Sequence, residues 1–499
     1  MMAKTIKFGP MNAKSLPIIF VLVACAFSSM VAQEVDTTTN KYSLDEFKQS
    51  FFQDYEDFKA QANSDFERFL SEAWSEYMCY SGLEGVYSSP KPENLPAPKT
   101  FSGVSDVSAP YISLDIQKAP SSKPSDSEGS EAVGEQMLSF RFYGRRMSFH
   151  FPDALRVTIK NTRESEVAQY YSTMQKKAEV KSLQQELEAS IHRLGLNEYG
   201  YFLLLRSLSE KAFSSMNERV LFCFYMLHSH GYKARIGRGK DSGQFMLLLA
   251  IDNSKEVYTI PFFRFNGVKY YTVYGGNDGE DAYSYNEKAD DASLREIGLD
   301  FHRVLNLTAC DKKRVLPLSK VNMTLEIPYS TSNLRYYDDL PMTVFPIYVK
   351  TGISLEAQKV LSQVFDGLGK QYNKAQLVEI MLNFVQTSFA YKIDEEQFGR
   401  EKYFFPEEVV GYPYSDCEDR CALFAWLVRT YAQCEVVGIL YEDHLATGVC
   451  LGSDANTKGL GFDYQGRHYM ICDPTYPNAS VGTVISKYER MKYEIVGIR

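Results

Sequence analysis

Residues 415–440 read SDCEDRCALFAWLVRTYAQCEVVGIL: a polar start, an apolar run at helical spacing, a short break and a β-branched segment. Ser415 is placed to cap a helix, and Glu418, three residues on, completes a capping box ahead of Cys421, Phe424, Ala425 and Val428. Cys417 then falls in the first turn. Unpaired N–H groups and the positive helix end favour an anion there, so the spacing predicts a lowered thiol pKa at Cys417. The same N–H groups could bond an oxyanion forming on an attacked carbonyl. A cysteine that only fills a core belongs on the apolar face, where Cys421 falls, and not between Asp416 and Glu418. Cys417 is therefore the candidate nucleophile. Cys421, four residues on, shares a helix face with it; that spacing is open to a metal pair, but a buried small hydrophobe is the favoured reading of Cys421.

A nucleophilic thiol needs an imidazole to hold its proton, and only His444 and His468 follow Cys417. His444 comes after Glu442-Asp443 and opens the apolar segment Leu445 to Leu451, which reads as a strand, so it is the favoured base. His468 sits on the next expected strand, where it can alternate outward with Met470 and Cys472. Asp473 ends RHYMIC and precedes Pro474, which stops the strand ladder. An acid there is either a turn former or the group that orients His444.

These residues, Y-x-D-C-E-D before an apolar helix, then D-H, then C-D-P-T, resemble the transglutaminase-like superfamily over about Glu356 to Gly482. The resemblance implies an α+β, papain-like cysteine-enzyme fold in which a helix carrying Cys417 packs on a sheet carrying His444 and Asp473. It also implies acyl transfer through a thioester on peptide or protein amide bonds, with water as acceptor in a peptidase or amidase and a lysine amine in a transglutaminase. No cofactor and no metal are expected, since the chain has neither C-x-x-C pairs suited to zinc nor a calcium loop of spaced acids around a central Gly. The segment Tyr391 to Tyr414 would shape the cleft, with Tyr412 and Tyr414 as wall groups or mere packing aromatics. The alternative from another class is a noncatalytic cell-envelope module that binds peptide or glycan over a vestigial site.

The chain also resembles itself at a displacement of about 200 positions. NERVLFCFYMLHSHGYKARIGR (217–238) parallels CEDRCALFAWLVRTYAQCEVVGIL (417–440), GQFMLLLAI (243–251) parallels DHLATGVCL (443–451), and FRFNGVKYYTVYG (263–275) parallels FDYQGRHYMICDP (462–474). Upstream, NEYGYFLLLRSLSEKAF (197–213) parallels NKAQLVEIMLNFVQTSF (373–389), after which the second half adds the long loop 391–415. Two copies of one domain are expected, 137–315 degenerate and 316–499 catalytic. Asn217, Gln244 and Tyr274 stand where the second copy has Cys417, His444 and Asp473.

A net charge of −9 and the lack of a basic, aromatic-interleaved stripe argue against nucleic-acid binding. Residues 1–33 read as a signal peptide: Lys4, Lys7 and Lys14 precede an apolar run, Leu16 to Ala26, that is too short to span a bilayer. Ordinary cleavage after Met30-Val31-Ala32 is favoured over a lipobox, Leu22-Val23-Ala24-Cys25, which would attach the protein to a membrane through a lipidated Cys25. Either route exports the chain to the periplasm, cell surface or medium. Residues 42–80 carry Phe47, Phe58, Phe69 and Tyr80 every eleven residues, which predicts a long amphipathic helix that packs on its own domain or meets a partner helix. Residues 81–136, rich in Pro and Ser, read as a disordered linker. The helix and linker look like those of exported proteins of Bacteroides-type bacteria.

Overall fold

The computed structural model describes residues 137–277, 279–284, 293–452 and 458–498. The signal peptide, long helix and linker expected over 1–136 lie outside these residues. The first described segment is the hairpin expected around Gly144. Strands β1 (Met137–Phe142) and β2 (Arg145–His150) pair antiparallel with Phe142 opposite Arg145. Tyr143 and Gly144 both take positive φ, 45° and 87°, the two left-handed positions that such a tight turn requires.

Four helices follow: α1 (Glu164–Gln175), α2 (Glu179–Leu194), α3 (Glu198–Ala212) and α4 (Met216–Ser229). They lead into β3 (Ala234–Gly239), β4 (Phe245–Leu249), β5 (Phe262–Phe265), β6 (Val268–Gly275) and β7 (Ala282–Ser284). A hairpin of β8 (Lys312–Leu318) and β9 (Met323–Tyr329) bridges to a second helical group. That group is α5 (Thr331–Asp338), α6 (Phe345–Lys350), α7 (Leu355–Gly369) and α8 (Lys374–Ser388). Next come the short strand β10 (Ala390–Tyr391), α9 (Asp394–Phe398), α10 (Pro406–Gly411), β11 (Tyr414–Ser415) and α11 (Cys417–Leu427). The chain closes with β12 (Glu435–Leu440), β13 (Leu445–Cys450), β14 (Gly461–Tyr464), β15 (Arg467–Cys472) and β16 (Glu494–Gly497).

The architecture is mixed α+β, with two five-stranded antiparallel sheets each curled into a half-barrel. Their orders, β5-β6-β4-β3-β7 and β14-β15-β13-β12-β16, follow one topology. In each sheet the first two strands form a hairpin, the second pairs with the fourth, and the fifth returns beside the first. The helices before the sheets match as well. Asn197 caps α3 by accepting the Gly200 N–H at 2.9 Å, and Asn373 caps α8 by accepting the Gln376 N–H at 3.0 Å.

The boundary expected at 315/316 falls inside β8, and one cluster of buried apolar side chains runs from Phe142 to Ile498. The two halves thus share a core. Every residue of α11 is buried, which makes it a central helix; it packs against α6, α8, α10 and β13. Losing a side chain such as Phe424 from that setting would cost about 3–5 kcal/mol.

The cap of α11 differs from the expected one by a single residue. Asp416 is the N-cap, and its N–H donates to Asp419 Oδ2 at 3.2 Å. Ser415 cannot serve, because it belongs to β11, where it pairs with Tyr391. Its hydroxyl accepts instead from Arg420 Nε at 3.2 Å.

Candidate active site

Cys417 opens α11, His444 immediately precedes β13, and Asp473 immediately follows β15. Because β13 and β15 run antiparallel with Thr447 opposite Cys472, His444 and Asp473 emerge at the same end of the sheet. His444 Nε2 lies 3.0 Å from Asp473 Oδ2. The other Asp473 oxygen, Oδ1, accepts from Thr475 N–H at 2.9 Å and Thr475 Oγ1 at 2.6 Å. The imidazole stacks on Tyr488, ring centres 4.8 Å apart. Gln386, on α8, fixes the loop by donating to the Asp473 carbonyl at 2.9 Å and the Ala479 carbonyl at 3.0 Å.

The thiol joins this pair through the backbone. The Leu445 N–H, next in sequence to His444, hydrogen-bonds the Cys417 sulfur and favours its thiolate. The Cys417 S–H donates to Glu418 Oε2 at 2.9 Å. Cys417, His444 and Asp473 are 1%, 1% and 0% exposed, so the site is closed.

Burial works against an ionised Asp473, but His444 and the two Thr475 bonds outweigh it and hold the carboxyl below its usual range. Cys417 goes the other way from expectation. Burial first, then the charges of Glu418 and Asp416, push its thiol well above the ordinary range. A helix end contributes about 0.3–1 kcal/mol, less than the ~1.4 kcal/mol of one pKa unit, so desolvation and two flanking acids win.

Other expected participants fall elsewhere. His468 pairs with Asp463 at 2.8 Å and its side chain is 60% exposed. Cys421 is fully buried, its S–H directed to the Leu445 carbonyl at 3.2 Å, and belongs to no metal-capable group among the described residues. Tyr412 stacks on Phe404, centres 4.8 Å apart, and its carbonyl accepts from Arg314, so it serves packing.

In the first half, Asn217 Oδ1 accepts the Phe245 N–H at 2.8 Å, the same relation that Cys417 has to Leu445. Gln244 precedes β4 as His444 precedes β13. Tyr274 does not reach the level of Asp473. A bulge in β6 sets Tyr274 opposite Leu247, the level of Cys472, and puts Gly275 next.

Two features had no sequence signal that our reading used. One is the bond from Cys417 to its neighbour Glu418. The other is a set of buried carboxyls around it, Asp394, Glu401, Asp416 and Asp419. Burial foremost, with Glu418 next, raises Asp394 to about 8; the same two causes raise Glu401 to about 9.

A cavity of about 180 Å³ is lined by residues of both halves, among them Tyr199, Ile260, Leu340, Lys402 and Tyr403, and by none of the three candidate residues. Tyr403 lies in electrostatic reach of Cys417 and Glu418. A larger cavity, about 610 Å³, is lined by Arg429, Glu435, Tyr464 and Arg467 and touches none of the three candidate residues. Among the described residues, no helix is long and apolar enough to cross a membrane. No protein-family model, no curated protein and no solved structure matches the chain.

Proposed function

We propose that the protein is an exported, transglutaminase-like cysteine enzyme that transfers acyl groups from peptide or protein amides through a thioester on Cys417. The observation that carries this reading is the junction of three element ends: Cys417 at the mouth of a buried helix, bonded by the Leu445 N–H, beside a His444–Asp473 pair at 3.0 Å. In this scheme the Cys417 sulfur attacks the amide carbon while its proton passes to His444. Asp473, bound at Nε2, leaves Nδ1 as the nitrogen for that proton. Collapse of the oxyanion breaks the C–N bond, and the departing amine takes the proton from His444. Water or an amine then attacks the thioester, gives its proton to His444 and restores the thiol. First-turn N–H groups of α11 would hold the oxyanion.

The same reading makes residues 137–315 a copy that lost the chemistry, with Asn217 in the nucleophile's place. Its remaining duty in this reading is structural: it shares one buried core with the second half. One observation favours the noncatalytic alternative: the resting thiol is buried and held protonated. Incubation of the full chain with a peptide library, with and without a small alkylamine, separates the readings. New termini that disappear in His444→Ala indicate a peptidase or amidase, and amine-tagged glutamines that disappear likewise indicate a cross-linker. Peptide retention without either product supports the binding module.

A further inference from the structure

Asp394, Glu401, Asp416, Glu418 and Asp419 crowd one pocket beside Cys417, each less than a tenth exposed. One oxygen each from Asp394, Asp416 and Asp419 lies within 4.8 Å of the others, and so does one each from Asp394, Glu401 and Glu418. Among the described residues none of the five is in an ion pair. Lys402, the near ammonium, is held by Glu408 at 2.8 Å and Asp338 at 3.2 Å. The Arg420 guanidinium goes to Ser415 Oγ and to the Gln386 and Phe389 carbonyls.

Some of these oxygens have partners. Asp394 Oδ2 accepts the Lys402 N–H at 2.7 Å, and Asp419 accepts the Phe404 N–H at 2.8 Å and the Asp416 N–H at 3.2 Å. Those bonds aim the carboxylates, as outer hydrogen bonds aim metal ligands. Others lack any N–H or hydroxyl donor: Oδ1 of Asp416 is buried alone, and the two buried oxygens of Glu401 face only another carboxyl, that of Glu418. A buried charge without a donor or counter-ion is costly, and several together are more so.

We infer that this pocket binds a divalent cation of the calcium class. The donors are all carboxylate oxygens, the hard set such an ion takes, and they are close enough to meet on one cation. Magnesium asks for shorter bonds, about 2.0–2.1 Å, and keeps several waters, which suits a closed pocket less well. Asp394 and Glu401 both come from the 391–415 loop that only the second half carries. The two-residue parallel pairing of β10 with β11, Tyr391 opposite Ser415, brings that loop against the mouth of α11. Met216 and Arg219 stand where Asp416 and Asp419 do, and among the described residues the first half has no such carboxylate group. Because the ligands come from three separate elements, no linear calcium loop appears in the sequence. The site stands whether or not Cys417 turns over substrate.

The test uses the full chain stripped with a chelator, titrated with Ca²⁺, Mg²⁺ and Tb³⁺ by calorimetry, tyrosine-sensitised terbium luminescence and thermal melting. The expected result is saturable one-to-one binding, a raised Tm, and Ca²⁺ displacing Tb³⁺ better than Mg²⁺ does. Glu401→Gln and Asp394→Asn should each weaken binding about tenfold or more, while Glu396→Gln on the exposed face of α9 leaves it unchanged. Should a neutral variant fail to fold, Glu401→Asp keeps the charge, shortens the reach and should show the same loss. No saturable binding and no change in Tm at millimolar Ca²⁺ would overturn the inference and leave carboxyls sharing protons. Binding of equal strength in wild type and in all folded ligand variants would also overturn it.

Discussion

Asp473 holds His444 through Nε2 at 3.0 Å while Thr475 occupies the other carboxylate oxygen twice. This arrangement leaves Asp473 no freedom to turn away and commits Nε2, so Nδ1 is the nitrogen that the proposed mechanism uses. Asp473→Asn keeps the shape but can donate to Nε2, stabilising the wrong tautomer. Acylation of Cys417 by a small activated ester should fall about 10²–10⁴-fold, with far-UV circular dichroism unchanged. An undiminished rate would remove Asp473 from the mechanism.

Asn217 does in the first half what Cys417 does in the second, accepting the backbone N–H that opens the second strand. Asn217→Leu strands the Phe245 N–H and should lower unfolding free energy by about 1–2 kcal/mol in urea titration. Cys417 acylation should be unaffected in the folded variant. Lost acylation at unchanged stability would give the first half a chemical role that the account denies it.

The buried acids set a pH dependence in calcium-free buffer. A carboxyl raised in the folded state keeps its proton where the unfolded chain, with pKa near 4, has released it. Its stabilising share is therefore complete below about pH 4 and fades as pH rises through about 8 for Asp394 and about 9 for Glu401. Asp473, depressed, does the opposite: its share is present above about pH 4 and is lost as pH falls through its folded value. Tm in chelator should thus decline from mildly acidic pH toward pH 9, and Glu401→Gln should flatten that limb. A Tm that is level across the range would contradict the raised values.

The elements were legible because strong periodicities end where the candidate residues stand. The run from Cys421 to Val428 marks α11, the alternation in RHYMIC marks β15, and the site residues sit just outside such runs. The likeness of the two halves rests on the same signals, and the two sheets follow one strand order. What escaped depends on contacts between segments. Ser415 looked like a cap, but a two-residue pairing with Tyr391 claimed it and passed the cap to Asp416. Tyr274 lost its place to a bulge that no composition announces. The thiol was expected to be acidic from its helix position alone, whereas Glu418, Asp416 and burial decide it.

The central claim is that His444 activates a thiol which accessibility alone would leave inert. Cys417 is 1% exposed, whereas Cys310 and Cys450 are the more accessible cysteines among the described residues. The full chain should be treated with p-nitrophenyl acetate at neutral pH, digested, and each cysteine's acetylation quantified by mass spectrometry beside His444→Ala. The account predicts rapid acetylation of Cys417 ahead of Cys310 and Cys450, abolished in the variant. Acetylation that follows exposure, with Cys310 and Cys450 leading and His444→Ala indistinguishable from wild type, would contradict it.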